Sequence, residues 1–165
     1  MIAAFPPTII VRHSRENPRK CSIVPLRDHP GIVILNYPVK KMPTLTGYVR
    51  LAAEGPALTN ADQEAGLLLL DGSWRWAAAM TRGFEHLPPR SLTGFRTAYP
   101  RVSKLGTDPD NGLASVEALF IAYHLLARPT DGLLDHYRWR KEFLRLNRFD
   151  EAGPAGSSAA GGGSR

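Results

Sequence analysis

The stretch Gly66-Leu-Leu-Leu-Leu-Asp71 constrains this chain more than any other, because four consecutive leucines run straight into an acid and a glycine, Gly72. A short, continuous aliphatic run bounded by turn formers reads as a strand buried on both faces. Passing into a turn and a helix start, it is an α/β pattern. Thr8 to Val11 (TIIV, after Pro6-Pro7) and Gly31 to Leu35 (GIVIL, ending at Asn36-Tyr37-Pro38) also read as buried strands. Gly47 to Leu51 gives a shorter strand, and another is expected at Gly94 to Ala98, in a region punctuated by Pro88, Pro89 and Pro100.

Helical segments alternate with these runs. Thr59, three residues before Asp62, starts a short capped helix. Ser73 to Met80 has helix-forming composition directly after the leucine strand. Ser115 heads Val116 to Leu126, with apolar residues at helical spacing, and Pro129 stops it; Asp131 to Leu146 is expected as a further helix. The fold class is therefore α/β.

The last fifteen of 165 residues include twelve Gly, Ala or Ser, so 151–165 is expected to be a flexible tail outside the fold. The rest divides into an N-terminal α/β part, 1–65, and a part built on the leucine strand, 66–150. With 43% hydrophobic and 22% charged residues, a chain of this length can bury a core of its own. Four leucines fall far short of the roughly 20 apolar residues of a membrane span, and no charged-then-apolar signal segment opens the sequence. A single cysteine, Cys21, allows no internal disulfide and no cysteine-rich zinc site, and the five histidines lack paired i, i+4 spacing. A cytoplasmic protein without a metal or a membrane partner is expected, and a monomer is the simplest assembly.

The net charge of +6 is concentrated in one segment. Eight basic residues between Arg12 and Arg50 face only Glu16 and Asp28, and the remainder of the chain sums to zero. Such a confined excess is either a solvated basic face or the footprint of a polyanion.

Three places can carry chemistry. At Leu70-Asp-Gly-Ser-Trp74 a strand ends in a turn and a helix start, where ligands of α/β sheets sit and where an acid can act as base or orient a bound group. The same residues equally suit an ordinary cap, with Trp74 in the core. At Gly112-Leu-Ala-Ser-Val-Glu-Ala118 a glycine-containing loop meets a helix whose first turn carries Ser115 and Glu117; a plain cap is the alternative there too. In Arg12-His-Ser-Arg-Glu-Asn-Pro-Arg-Lys-Cys-Ser22, Arg12, Arg15, Arg19 and Lys20 suit phosphate contacts. Cys21 with His13 offers a thiol and a base, but nothing in the sequence supplies the orientation such a nucleophile needs.

Taken together, Asn17-Pro-Arg-Lys-Cys-Ser22, Leu70-Asp-Gly-Ser-Trp74, Leu92 to Pro100, Leu113-Ala-Ser-Val-Glu-Ala118 and Phe143-Leu-Arg-Leu-Asn147 resemble, in order and spacing, the ribosomal-RNA aminocarboxypropyltransferases and the related DTW-domain transferases. Asp71-Gly-Ser-Trp74 is similar to the Asp-x-Ser/Thr-Trp signature of both branches. Leu113 to Ala118 is similar to their Leu-Ser-Ser/Thr-x-Glu-Ala element, with Ala114 in place of the first Ser. The chain departs from the ribosomal-RNA branch at Tyr99-Pro-Arg-Val-Ser-Lys104, where that branch has an Asn-Pro-Val-Asn-Tyr-Gly type segment, and it lacks the cysteine zinc motif of the DTW branch.

The resemblance implies a SPOUT-like fold whose C-terminal half passes through a trefoil knot that forms an S-adenosylmethionine pocket. The knot loops would be the Asp71 to Trp74 turn, Phe95 to Ser103 and Gly112 to Ser115. Ser22, Asp71, Gly72, Ser73, Trp74, Phe95, Thr97, Leu113 and Ser115 would line the pocket, and Arg12, Arg15, Arg19 and Lys20 would grip RNA. Enzymes of this kind move the 3-amino-3-carboxypropyl group to a nitrogen of a uridine-type base in ribosomal or transfer RNA. Asp71 would then be the proton acceptor, with Glu117 second. Two alternatives stand beside this one: a SPOUT methyltransferase, and a non-catalytic RNA-binding protein of ribosome assembly.

Overall fold

A computed structural model describes residues 5–19, 21–100 and 112–150. Among the described residues five strands form one sheet: β1 (Thr8–His13), β2 (Ile32–Tyr37), β3 (Tyr48–Ala57), β4 (Gly66–Asp71) and β5 (Pro89–Ser91), in the order β2-β1-β4-β3-β5. Every pairing is parallel. The leucine run is β4, held between β1 and β3, and its neighbours explain why it carries no polar residue until its end. Leu67 and Leu68 are fully buried on opposite faces and Leu69 nearly so. Because β4 lies between β1 and β3, the stretches 1–65 and 66–150 contribute strands to the same sheet.

One face carries the larger core. Ile10, Val49, Leu67 and Leu69 pack there against Val116, Leu119, Tyr123 and Phe143, which belong to α2 (Ser115–Leu125) and α3 (Arg140–Leu146). On the other face Ile9, Val11, Tyr48 and Leu68 pack with Phe84 and Leu87, which follow α1 (Trp74–Thr81), and with Val39, Met42 and Leu45 of the loop after β2. Gly66 is where β4 enters the sheet, and a Cβ there would meet the Tyr48 ring at 2.5 Å. That ring is fixed by its hydroxyl, which donates to the Pro7 carbonyl at 2.6 Å.

The expected helix at Thr59 is a single 3-10 turn, Asn60–Asp62, with a complete capping box between Thr59 and Asp62. Three expectations are corrected. The short strand expected at Gly47 to Leu51 is the ten-residue β3, the longest strand among the described residues. Gly94 to Ala98 is not a strand; it is a turn followed by irregular backbone, and the fifth strand is Pro89–Ser91. Side chains take the polar groups that a neighbouring strand would otherwise satisfy. The Arg96 N–H donates to Asn147 Oδ1 at 2.7 Å, and the Ala98 N–H donates to Glu117 Oε2 at 2.8 Å. The expected helix from Asp131 to Leu146 is helical only over Arg140–Leu146. Its first half is a series of turns containing Gly132 at φ 81°, a left-handed conformation that interrupts a helix. Leu133, Leu134 and Tyr137 are buried from those turns, so their apolar spacing reports core contact without a helix.

Candidate functional site

The connections leaving β1 and β4 run to opposite sides of the sheet, toward β2 and β5 respectively. Their carboxyl ends therefore flank the crevice where an open parallel sheet takes a ligand. Arg12 and Asp71 stand there in register as partners across the β1–β4 pair. Both side chains point to the α2 face, and each residue is only 8% exposed.

Asp71 gathers the site. The Ser115 hydroxyl, at the first residue of α2, donates to Asp71 Oδ1. The Cys21 thiol donates to Asp71 Oδ2 at 3.1 Å, and Arg12 Nε donates to the Cys21 sulfur at 3.3 Å while standing 4.0 Å from Asp71 Oδ2. Burial, and then the Asp71 charge, push the Cys21 thiol above its ordinary pKa, so it stays protonated and acts as a donor. Ser22 completes the link: its hydroxyl accepts the Val116 N–H at 3.3 Å. That contact caps α2 from 94 residues away, where Ala114 at the cap position has no side-chain oxygen to offer.

The basic loop is tied to the turn after β4. Glu16 Oε1 accepts the Ser73 N–H at 2.6 Å, and the Glu16 carbonyl accepts from Arg12 Nη2 at 2.6 Å. Ser73 sits at the cap position of α1 without a side-chain bond of its own, so a carboxylate supplied from the loop occupies that helix start. Gly72 is half-buried and Ser73 exposed, and Trp74 is the first residue of α1.

Glu117 has a different environment from Asp71. It is fully buried (0%), and its carboxylate accepts from the Thr97 hydroxyl at 2.6 Å, the Ala98 N–H at 2.8 Å and the Ala114 N–H at 2.8 Å. It thereby pins the 97–98 stretch and the loop before α2 to each other. Leu113 packs against the main core beside it, and Phe95 stacks on Phe149 with ring centroids 6.0 Å apart.

Of the residues singled out in the sequence, the structure bonds Asp71 to Ser115 and brings Ser22 onto the N–H of the next residue, Val116, with Gly72 and Ser73 on the adjoining turn. Thr97 and Leu113 lie at the Glu117 junction, while Phe95 is turned toward α3. Arg12, expected on the phosphate-gripping surface, is buried with its guanidinium committed inward. Arg15 and Arg19 are exposed, and Lys20 lies outside the described residues. Cys21 and His13 do not form a thiol–base pair. His13 projects from the opposite face of β1, where its Nδ1 accepts the Arg15 N–H at 3.1 Å. Sequence reasoning missed Cys21 as a partner of Asp71, and missed Glu16; the one signal for Glu16 was a lone acid in a basic loop. Among the described residues no group of three or more His, Cys, Asp or Glu could hold a metal ion, and no helix is long and apolar enough to cross a membrane.

The arrangement defines a class: a parallel α/β sheet with a polar cluster at its switch point, built from a post-strand acid and a pre-helix serine. No family model and no curated protein matches the sequence. Among solved structures the chain is similar to the SAM-dependent rRNA:acp-transferase Tsr3 from Vulcanisaeta distributa, with a TM-score of 0.65 and 21% identity over 87% of this chain and 80% of that one. The two share a fold.

Proposed function

We propose that this chain is an S-adenosylmethionine-dependent RNA 3-amino-3-carboxypropyltransferase acting on a uridine-type base in ribosomal or transfer RNA. One observation carries the reading: the turn after β4 and the start of α2, 44 residues apart, are bonded through Asp71 and Ser115 at the switch-point crevice. The fold shared with an enzyme described as an rRNA:acp-transferase supports it. So do the motifs at Asp71 to Trp74 and Leu113 to Ala118. The same reading carries a knotted SPOUT-like path through 66–150, part of which falls in 101–111 outside the described residues. It also carries an RNA-contacting role for 1–65, and a cytoplasmic monomer.

The residues present fit such a donor. Asp71 and Ser115 are bonded at the sheet rim with Ser22 on the adjoining Val116 N–H, and Glu16 on the Ser73 N–H marks that amide as a place where a carboxylate is at home. S-adenosylmethionine, when bound, supplies a carbon made electrophilic by its sulfonium sulfur. The protein decides by aim which carbon is presented: Ser73 and Ser115, with the backbone of the Gly72 turn, would hold the amino-acid end, Trp74 would wall the methionine portion, and the stretch from Thr97 and the Leu113 loop would hold the remainder. Asp71 accepts the N3 proton of the base, since a uracil-type nitrogen is a poor nucleophile until that proton leaves. Arg12 and Cys21 orient the Asp71 carboxylate. Glu117, with three donors on an enclosed carboxylate, is a positioning residue that fixes both cofactor loops. Arg15, Arg19 and Lys20 hold phosphates around a base drawn out of its stack.

The test is mass spectrometry of nucleosides from the RNA of cells with and without the gene. The expected result is a uridine carrying the aminocarboxypropyl group that is present only with the gene. A methylated nucleoside in its place, or identical nucleoside profiles, would reject the proposal.

A further inference from the structure

A second set of flat side chains lies just across the same sheet rim, and its rings, His13, Tyr37 and Trp76, take no part in the proposed reaction. The His13 ring stacks on the Trp76 indole with centroids 4.4 Å apart and planes 13° from parallel. It also stacks on the Tyr37 ring at 5.6 Å. The Arg15 guanidinium lies over the same indole, 5.5 Å from its centroid. His13 is buried, Tyr37 and Trp76 are half-buried and Arg15 is exposed, so the ladder starts in the sheet and ends at open surface. Only the turn after β4 separates it from Asp71: a Cβ on Gly72 would stand 3.3 Å from His13 Cβ and 3.6 Å from Trp76 Cβ. Beyond Tyr37 the surface dips into a groove of about 400 Å³ lined in part by Pro38, Met42, Leu45, Phe84 and His86.

We infer that Trp76, backed by His13 and flanked by Arg15, is the seat of an RNA nucleobase next to the modified nucleotide. The inference rests on the RNA reading above and adds a surface to it. A half-buried indole backed by an imidazole and overlain by a mobile surface cation offers a base its outer π face when the guanidinium swings aside, with a positive neighbour beside it, and every base has a π face to match. The charge around the ladder suits nucleic acid. Arg15, Arg19, Lys40 and Lys41 are all exposed, on the two loops that follow β1 and β2 and frame the ladder. A base drawn into the Asp71 crevice leaves its neighbour without a stacking partner. The ladder supplies one on the other side of a single turn, with Arg15 free to move from the indole to the adjoining phosphate.

The test uses the full chain and a fluorescein-labelled uridine RNA nonamer, with binding followed by anisotropy at several salt concentrations and without S-adenosylmethionine. Trp76→Leu keeps apolar bulk against His13 and removes the π face. It is expected to weaken binding about tenfold, the scale of one lost base stack. The slope of log K against log salt should stay unchanged, because no phosphate contact is lost. Trp76→Phe is expected to retain most of the affinity. Leucine binding as tightly as tryptophan, or phenylalanine no better than leucine, overturns the inference. Should the leucine variant fail to fold, the wild-type protein and a nonamer with one 2-aminopurine decide the matter: stacking quenches the analogue on binding, and an unquenched bound analogue overturns it. Failure here leaves group transfer standing. Stacking by a protein that transfers nothing to any RNA removes the transferase reading and keeps the platform.

Discussion

Both oxygens of Asp71 already carry a donor, the Ser115 hydroxyl on one and the Cys21 thiol on the other, with the Arg12 guanidinium beside them. A carboxylate held this way keeps a fixed direction, which a proton acceptor needs more than it needs proximity alone. Cys21 reports on the arrangement. Its pKa is raised, chiefly by burial, so it remains a thiol where a free cysteine, with a pKa of about 8.5, has begun to ionise. Alkylation by iodoacetamide, followed by mass spectrometry across pH 7 to 10, is expected to run slower than for an unstructured cysteine peptide, with its midpoint displaced upward. The sign for stability follows: the contribution of a raised thiol is whole below the ordinary pKa and is lost as pH rises through the folded one. Asp71 and Ser115, which the structure bonds to each other, could be singled out from the sequence because each stands where a strand or a helix begins or ends. Arg12 and Cys21 were not. Only the pairing of β1 with β4 shows that a residue in a basic segment faces inward, toward an acid 59 positions away.

At the level of elements, α2 is held at its start by unusual means. Ser22 reaches the Val116 N–H from the N-terminal segment, while Glu117 reaches back to the Ala114 N–H and outward to Thr97 and Ala98. Replacing Glu117 with Gln keeps the volume but exchanges one acceptor oxygen for an amide that meets donors. The variant is expected to lose about 1–3 kcal/mol of stability in urea unfolding. Its affinity for S-adenosylmethionine is expected to fall as the 97–98 and 112–115 loops part. Unchanged stability and unchanged affinity together would refute the positioning role. The helical period of Val116 to Leu126 made α2 readable, and unbroken apolarity did the same for β4. Gly94 to Ala98 misled for a physical reason: a short segment between prolines with Phe and Thr suits a strand, yet Glu117 and Asn147 satisfy backbone groups that a strand would have paired.

For the whole molecule, the position of β4 between β1 and β3 decides everything about the crevice, and close contact at Gly66 secures that position. Gly66→Ala drives a methyl into the Tyr48 ring. It is expected to cost about 1–3 kcal/mol, read as a lower urea midpoint with an unchanged m-value; an unaffected midpoint would show that Tyr48 can retreat despite its bond to Pro7. The α/β class was open to reading from three aliphatic runs. Strand order was not, because sequence patterns set which residues are buried and leave open which strands are neighbours. The basic excess between Arg12 and Arg50 was visible as a count, but its division into a buried Arg12 within β1 and exposed Arg15 and Arg19 in the loop beyond it depends on where the strand ends.

The central claim is that the crevice aims the aminocarboxypropyl carbon, not the methyl, at an RNA base, with Asp71 taking the proton. It is tested most directly by incubating the protein and RNA with S-adenosylmethionine labelled in one group or the other. The account predicts that carboxypropyl label enters RNA and methyl label does not. It also predicts that Asp71→Asn binds the donor nearly normally while transfer falls by about 10²-fold or more. Methyl label in the RNA, or full turnover by the Asn variant, would contradict it.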